Sequence, residues 1–273
     1  MIETDHTWAV EGTIDRALAE AAFGSQPGRW PLPTATTPGQ LWLRAVAAGG
    51  QGRYAHAYSD LAVLRRRVPA GPLASLAHST QASFFRQLGW HTLARGWDGR
   101  ALALAGADPG ARADALIGLA ADALGVGRLA AAATLLARAE PILVADRLAV
   151  RRQWVGAELA MAAGDGATAV RLAEEAVERA QAVASVRHRV KSDVVLAAAL
   201  CSAGGTERAC AVGQAALDDT GTFGLIPLRW AVACLLIDIG SVTFPAQMLR
   251  DLTEIRDICA GQVRRAGGSW RTA

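Results

Sequence analysis

The sequence predicts an all-α protein, and three observations lead to this fold class. Alanine and leucine are abundant, whereas tyrosine and phenylalanine account for only 2 and 5 of the 273 residues. Alternating apolar and polar runs, which would favour strands, are few. A spaced pattern of glycine and alanine returns along most of the chain, which is typical of stacked helical repeats.

The residues before the repeats are expected to form a helix and a linker. Residues 1–23 predict an N-terminal capping helix, starting at about Thr7, that covers the exposed end of the first repeat. The apolar residues of this helix are Trp8, Ile14, Leu18 and Phe23. Residues 24–38 predict a proline-rich linker, because proline stops helices and favours extended chain. A proline-binding module could also recognise this segment.

Residues 39–265 contain the repeat. In each unit a glycine is followed five residues later by an alanine and, seven residues further on, by another apolar residue that is usually alanine. The sets are Gly52/Ala57/Leu64, Gly89/Ala94/Ala101, Gly127/Ala132/Ala139, Gly164/Ala169/Ala176 and Gly204/Ala209/Ala216. Their first alanines lie 37, 38, 37 and 40 residues apart. The chain therefore predicts units of nearly constant length.

Each unit is expected to be a pair of antiparallel helices joined at the glycine. Seven residues before each glycine lies another small residue, within a stretch of helical pattern. These residues are Ala45, Ala82, Ala120, Ala157 and Ala197. Small residues on both helices would let the backbones approach closely, and glycine would end the first helix in a left-handed turn. A last unit fits Ala233, Gly240 and a closing helix at about 245–265.

This pattern resembles the tetratricopeptide (TPR) family. Leu88–Gly89, Ala163–Asp165 and the spaced alanine pairs are similar to the TPR turn and the second-helix alanines. The units are longer than the usual 34 residues of the family, the bulky first-helix aromatic is mostly absent and the closing proline is irregular. The chain is therefore identified as a divergent TPR-like protein. The resemblance implies a right-handed superhelix, or α-solenoid, of about six TPR-like helical hairpins.

Composition and charge argue against several function classes. The net charge of +3 is small for 273 residues and far from the basic stripe that nucleic acids usually need. Lys191 is the only lysine, and this bias towards arginine and alanine suggests an actinobacterial genome. The N-terminal residues are acidic, and no apolar run approaches the roughly 20 residues of a membrane span. We expect a cytoplasmic protein that binds neither nucleic acid nor membrane.

No catalytic residue, cofactor or metal site is predicted. The four cysteines lie singly in helical pattern without a CxxC pair, and the five histidines are isolated. The sequence contains no GxxxxGK[ST] phosphate loop and no HExxH zinc motif. We therefore expect a protein that is not an enzyme.

The first helices of the units are expected to form a binding groove, because TPR-like stacks line their concave surface with them. Three positions before the small residue of each first helix lie Trp42, Ser79, Ile117, Trp154, Val194 and Trp230. The predicted partner-binding residues are Ser79, Arg86, Ile117, Arg151, Trp154, Glu158, Lys191, Val194 and Trp230. This groove would suit an apolar helix or an extended peptide with an acidic group. The tryptophans could instead fill gaps between helices, and Arg151 and Lys191 could be solvated helix starts.

The leading hypothesis is a non-catalytic scaffold or adaptor that binds a peptide or a partner protein in this groove. The alternative is a ligand- or peptide-sensing regulatory module, since the chain resembles the TPR domains of actinobacterial transcription regulators. Residues 1–38 are too short and too rich in proline for the helix-turn-helix of those regulators. A third possibility is a homo-oligomer formed through the apolar residues near Cys234 and the closing helix. Residues 266–273 predict a flexible tail in which Trp270 could dock.

Overall fold

The computed structural model describes residues 12–142, 145–240 and 244–271. Over these residues the chain forms thirteen α-helices and no strand, which confirms the predicted all-α class. The helices are α1 (Thr13–Phe23), α2 (Pro38–Gly50), α3 (Tyr54–Arg67), α4 (Pro72–Gln87), α5 (His91–Leu104), α6 (Pro109–Gly125), α7 (Leu129–Ala139), α8 (Asp146–Ala162), α9 (Gly166–Ala182), α10 (Val186–Ser202), α11 (Thr206–Thr222), α12 (Ile226–Gly240) and α13 (Ala246–Arg265). A short 3-10 turn at Glu140–Ile142 follows α7.

The helices after α1 pack in consecutive pairs. These pairs are α2 with α3, α4 with α5, α6 with α7, α8 with α9, α10 with α11, and α12 with α13. The first helix of each pair also contacts the first helix of the next pair. Helices α2, α4, α6, α8, α10 and α12 therefore form one continuous surface, which we call the first-helix face. Helix α1 packs against α2.

Most turns inside the pairs have the glycine conformation that the repeat predicts. Five turn glycines have a positive φ, between 75° and 88°. They are Gly52, Gly89, Gly127, Gly164 and Gly204. Side chains with a Cβ rarely adopt this left-handed conformation, so the prediction for these turns is confirmed. The last pair differs, because Gly240 ends α12 without a positive φ and residues 241–243 lie outside the described part of the chain.

The small residues of the repeat lie where the helices contact one another. In the first helices Ala45, Ala82, Ala120, Ala157, Ala197 and Ala233 have an exposed fraction of 0%. In the second helices Ala57, Ala94, Ala132, Ala169 and Ala209 are equally buried. A methyl group is the largest side chain that such close backbones accept, so these positions select alanine over larger apolar residues.

Local capping explains where several first helices begin. Before α2, the Thr37 hydroxyl accepts a hydrogen bond from the Gln40 N–H at 3.2 Å, and the Gln40 amide oxygen accepts one from the Thr37 N–H, which completes a capping box. Before α6, the Asp108 carboxylate accepts a hydrogen bond from the Ala111 N–H at 2.7 Å. Prolines at the first helical positions are Pro38, Pro72 and Pro109. Proline is tolerated there because that N–H has no partner within the helix.

The N-terminal helix covers α2 with two of the predicted residues, Leu18 and Phe23. Leu18 is fully buried, and small residues of α1 are buried with it. Ile14 was expected to contribute to this cap, but 41% of its surface is exposed, although it lies one turn before Leu18 on the same face, in the first turn of α1. The predicted start at Thr7 and the contribution of Trp8 lie outside the described residues.

The N-terminal part of the chain, from the end of α1 to α3, contacts α10 and the segment after α13. The Val186 N–H donates to the carbonyl of Gly24 at 3.2 Å, and the Ala55 N–H donates to the carbonyl of Ala266 at 2.8 Å. The Gln51 side-chain amide holds the segment after α1 by donating to the Pro27 carbonyl at 2.9 Å. The C-terminal helices therefore lie against the N-terminal helices.

A substitution in the contact between paired helices tests this packing. We expect Ala157→Leu to lower the free energy of unfolding by about 1–3 kcal/mol, because the larger side chain has no space between α8 and α9. The matched control is Ala167→Leu, which adds the same atoms at an exposed position of α9 and should change stability by less than about 0.5 kcal/mol. Chemical denaturation measures both values. Equal effects of the two substitutions would contradict the close approach at Ala157.

Candidate functional site

All nine predicted partner-binding residues lie on the first-helix face, but they differ in burial. Ser79, Ile117 and Val194 are 4%, 1% and 7% exposed, so they pack between helices and present almost no surface to a partner. The partly exposed residues are Arg86, Arg151, Trp154, Glu158, Lys191 and Trp230. The structure connects most of these through ion pairs and ring contacts, whereas Trp230 lies apart from them.

Helices α6, α8 and α10 are joined by side chains on the first-helix face. Arg151 of α8 forms an ion pair with Asp114 of α6. Lys191 of α10 lies 3.3 Å from the Glu158 carboxylate of α8, and both side chains are about one-third exposed, at 33% and 34%. Arg151 is therefore an inter-helix partner instead of a solvated helix start.

Trp154 is held in place while part of its ring remains exposed. Its indole N–H donates to the Ser192 hydroxyl at 2.8 Å. Its ring stacks on that of His188, with 5.3 Å between centroids and an angle of 27°. The Lys191 ammonium lies 5.9 Å from the centroid of the indole, within range of a cation–π contact. These contacts fix the orientation of a ring that a ligand can still reach.

His188 acts as an aromatic surface and not as an acid or base. Its side chain is buried, and its Nδ1 lies 2.8 Å from the Ser185 hydroxyl. Burial holds the pKa of His188 well below its usual value, and the nearby Arg187, Arg147 and Arg151 lower it further. The imidazole is therefore neutral at neutral pH.

A second cluster lies where α4, α5 and α6 meet. Arg86 of α4 forms ion pairs with Asp98 of α5, at 3.0 Å, and with Asp122 of α6. The same guanidinium donates to the Gly118 carbonyl at 3.0 Å. Both aspartate side chains are completely buried, so this cluster fixes the helices and offers little surface to a ligand.

The two buried carboxyl groups share one guanidinium, and this affects their protonation. Burial raises the pKa of Asp98 to about 7, against the opposing effect of Arg86. Burial also raises the pKa of Asp122. Two buried carboxylates beside one guanidinium would leave an uncompensated negative charge, so the Asp98–Asp122 pair retains a proton near neutral pH.

Sequence reasoning missed Asp98, Asp114 and Asp122 as members of these clusters. A signal was present for two of them, because Asp114 and Asp122 are the only charged residues in the apolar stretch 113–124 of α6. A charge inside an apolar helix needs a buried partner. Asp98 had no such signal, since Arg95 and Arg100 lie near it in α5 and make another charge there unremarkable.

Phe23, the last residue of α1, contacts three helices of the first-helix face. Its centroid lies 5.5 Å from that of Trp42 and 6.3 Å from that of His188, and 5.2 Å from the Arg147 guanidinium. These partners belong to α2, α10 and α8, and α4 and α6 separate α2 from α8 along the face. One side chain can contact all of them only if the face curves around it.

Arg187 joins the two ends of this curve through backbone groups. Its guanidinium donates to the carbonyl of Val46 at 3.1 Å and to that of Ala22 at 3.2 Å. These carbonyls lie near the C-terminal ends of α2 and α1, where the partial negative charge of a helix favours a cation. Sequence reasoning did not identify Arg187 or the position of Phe23, because both depend on contacts between residues more than a hundred positions apart.

The segment after α13, where the sequence predicts a flexible tail, also contacts the face. Trp270 packs on Trp230 of α12, with 4.1 Å between ring centroids. The Trp90 indole N–H donates to the carbonyl of Ser269 at 2.7 Å, and the Arg271 N–H donates to the carbonyl of Leu88 at 2.9 Å. Trp230 thus contacts the protein's own C-terminal segment, whereas Trp154 contacts His188, Lys191 and Ser192. These four residues and Glu158, which pairs with Lys191, are called the Trp154 group.

Three of the cysteine thiols lie in surroundings that keep them protonated. Burial raises the pKa of the Cys210, Cys234 and Cys259 thiols, so they stay protonated at neutral pH and are weak nucleophiles. Among the residues with a defined position, no three His, Cys, Asp or Glu side chains group as metal ligands would.

Comparisons with known proteins add no assignment. No protein-family model and no curated protein matches the chain. In the described ranges, no helix combines the length and apolar character that crossing a membrane requires. Any function is therefore argued from the first-helix face itself.

Replacing Asp98 with asparagine should remove one source of pH dependence. Because its pKa is raised in the folded protein, the contribution of Asp98 to the free energy of unfolding is largest below the ordinary carboxyl pKa and is lost as the pH rises towards about 7. Relative to Asp98→Asn, the wild type should lose at least about 1 kcal/mol between about pH 5 and pH 8, since one pKa unit corresponds to roughly 1.4 kcal/mol.

Denaturant unfolding of both proteins at several pH values measures this difference. Taking the difference removes the opposite contribution of His188, whose lowered pKa makes stability fall as the pH drops below the usual histidine range. A difference that stays constant over the whole pH range would show that the Asp98–Asp122 pair holds no extra proton.

Proposed function

We propose that the chain is a non-catalytic interaction scaffold that holds an extended segment of a partner protein on the first-helix face. The consecutive helical pairs are compatible with an α-solenoid of six TPR-like hairpins, right-handed as in that family, with the first-helix face as its concave side. In this proposal the helices supply a rigid surface, and binding is the whole function.

The orientation of Trp154 carries the proposal. Its ring is held by His188 and Ser192 but is not fully covered. A fixed aromatic ring loses little conformational entropy when it binds, and tryptophan is enriched among residues that dominate binding energy. A ring that only filled a gap between helices would be buried, as Trp42 is at 5% exposure.

The neighbouring charges indicate the chemistry of the partner. Lys191 and Glu158 face each other 3.3 Å apart, and each is about one-third exposed, at 33% and 34%. Exposed ion pairs of this kind contribute only about 0–1 kcal/mol, so a ligand can replace one partner at little cost. A partner with an apolar side chain over Trp154 and a carboxylate near Lys191 fits this arrangement.

Substitution of Trp154 tests the proposal. Partners are captured from the native host with the wild-type chain, and the affinity of each is then measured with purified proteins. We expect Trp154→Ala to weaken the partner by about 2 kcal/mol or more, which is roughly a 30-fold rise in Kd. Lys191→Ala should have a smaller effect in the same direction, because an exposed charge contributes less than a buried ring.

The matched control is Trp97→Ala. Trp97 also contacts a histidine ring, that of His78, at 5.3 Å between centroids, but it lies on α5, a second helix. Circular dichroism must show that both variants keep their helices. Equal affinity of wild type and Trp154→Ala, or equal loss in both tryptophan variants, would remove the Trp154 surface from the proposal.

A further inference from the structure

The segment Ser269–Arg271 contacts the protein in the way that an extended peptide contacts its receptor. The carbonyl of Ser269 accepts a hydrogen bond from the Trp90 indole at 2.7 Å. Two residues later, the N–H of Arg271 donates to the carbonyl of Leu88 at 2.9 Å. Hydrogen bonds to the main chain hold such a segment whatever its side chains are, and a pocket for the side chain between them gives selectivity.

The side chain between these two hydrogen bonds is Trp270, and it lies against a second indole. The ring centroids of Trp270 and Trp230 are 4.1 Å apart with 32° between their planes. The Trp270 indole N–H also donates to the carbonyl of Ala260 at 3.4 Å. The site therefore recognises both the face of the indole ring and its single hydrogen-bond donor.

The receptor side of this contact is a rigid turn. Leu88 and Trp90 flank Gly89, which has a φ of 88°. The Leu88 N–H donates to the Phe84 carbonyl at 3.2 Å, and the Trp90 N–H donates to the Phe85 carbonyl at 2.8 Å. The end of α4 thus fixes the Leu88 carbonyl and the Trp90 backbone independently of the tail, and the Trp90 ring packs against buried residues of the first two helix pairs.

Only the last part of the tail has to leave for the site to open. Gly268 is closely packed, since a Cβ there would lie 2.5 Å from the Val263 side chain and 2.8 Å from that of Tyr54. Beyond it, Ser269 and Arg271 are exposed and Trp270 is partly exposed. The closely packed glycine anchors the tail, and the three residues after it form the exchangeable part.

We propose that Ser269–Arg271 is an intrachain ligand of a binding site formed by Leu88, Trp90 and Trp230, and that this site takes an extended partner segment carrying a tryptophan. The inference rests on the proposed function and names the class of segment that the scaffold holds.

A peptide with the sequence of residues 266–273, AGGSWRTA, is the probe. Labelled with fluorescein, it is titrated by anisotropy with the full chain and with Trp270→Ala. A short flexible tether gives an effective concentration on the order of millimolar, so the attached tail competes strongly with the free peptide. We expect Trp270→Ala to bind the peptide at least about tenfold more tightly than the wild type does.

Two double variants show where on the protein the peptide binds. Trp270→Ala combined with Trp230→Ala should lose the peptide, whereas Trp270→Ala combined with Trp30→Ala should keep it, because the exposed indole of Trp30 packs against His56 and Arg53 and not against Trp270. A peptide with alanine in place of its tryptophan should not bind either chain. Peptide binding that survives Trp230→Ala would overturn the proposed site.

Arg271→Pro provides a second test that keeps Trp270. Proline has no N–H for the Leu88 carbonyl, so the attached tail should be weakened and peptide affinity should lie between those of wild type and Trp270→Ala. Equal peptide affinity in all three chains, each shown to be helical by circular dichroism, would contradict the inference. Wild-type dimers in sedimentation that Trp230→Ala abolishes would assign the site to the tail of a second copy and overturn the choice of partner.

These results can be separated from those on the proposed function. The peptide assay measures binding at the Trp230 site. The affinity of Trp154→Ala for a partner instead tests binding at the Trp154 group. If the peptide fails to bind while Trp154→Ala still weakens a partner, only the intrachain ligand is excluded. If the peptide binds as expected while Trp154→Ala has no effect on partners, the scaffold function at Trp154 is excluded instead.

Discussion

The close approach of paired helices at alanine is the constraint on which this structure depends. Because Ala157, Ala169 and their counterparts are fully buried, paired backbones can lie at the short end of the roughly 8–10 Å range of helix packing. Repetition of the same contact sets successive first helices side by side. Alanine buries little apolar surface, however, so larger side chains of the same helices, such as Leu116, Leu148 and Leu236, supply much of the apolar surface that the interior buries.

Charged contacts between neighbouring pairs determine how the pairs align. Arg86 crosses from α4 to α5 and α6, and Arg151 crosses from α8 to α6. Buried ion pairs add little net stability, since removing the charges from water costs about as much as their attraction returns. Losing one partner is costly, so a shifted alignment that separated Arg86 from both carboxylates would be disfavoured. The clusters therefore select one arrangement among several that alanine contacts alone would permit.

The parts of the structure that were predictable from the sequence are those that depend on local spacing. The left-handed conformation of Gly127 and the burial of Ala132 follow from residues within one unit, where a fixed period has a direct geometric meaning. The surroundings of Phe23 and Arg187 depend on contacts across more than a hundred residues, for which the period contains no information. The burial of Ser79 was not predicted for a related reason. Its position in the repeat predicts that it lies on the first-helix face, but it does not show how closely the neighbouring first helices pack around it.

The contacts of the protein's own segments determine where a partner gains access to the first-helix face. Phe23 ends a helix whose Leu18 is fully buried, and Arg187 binds the adjacent Ala22 carbonyl, so moving Phe23 disrupts buried structure. Trp270 is followed by exposed residues and can leave without unfolding a helix. Any partner affinity is the free energy of its contacts minus the free energy of the contacts it displaces. Displacing these contacts therefore costs less free energy beside Trp230 than beside Phe23, which favours entry of a partner at the Trp230 end of the first-helix face.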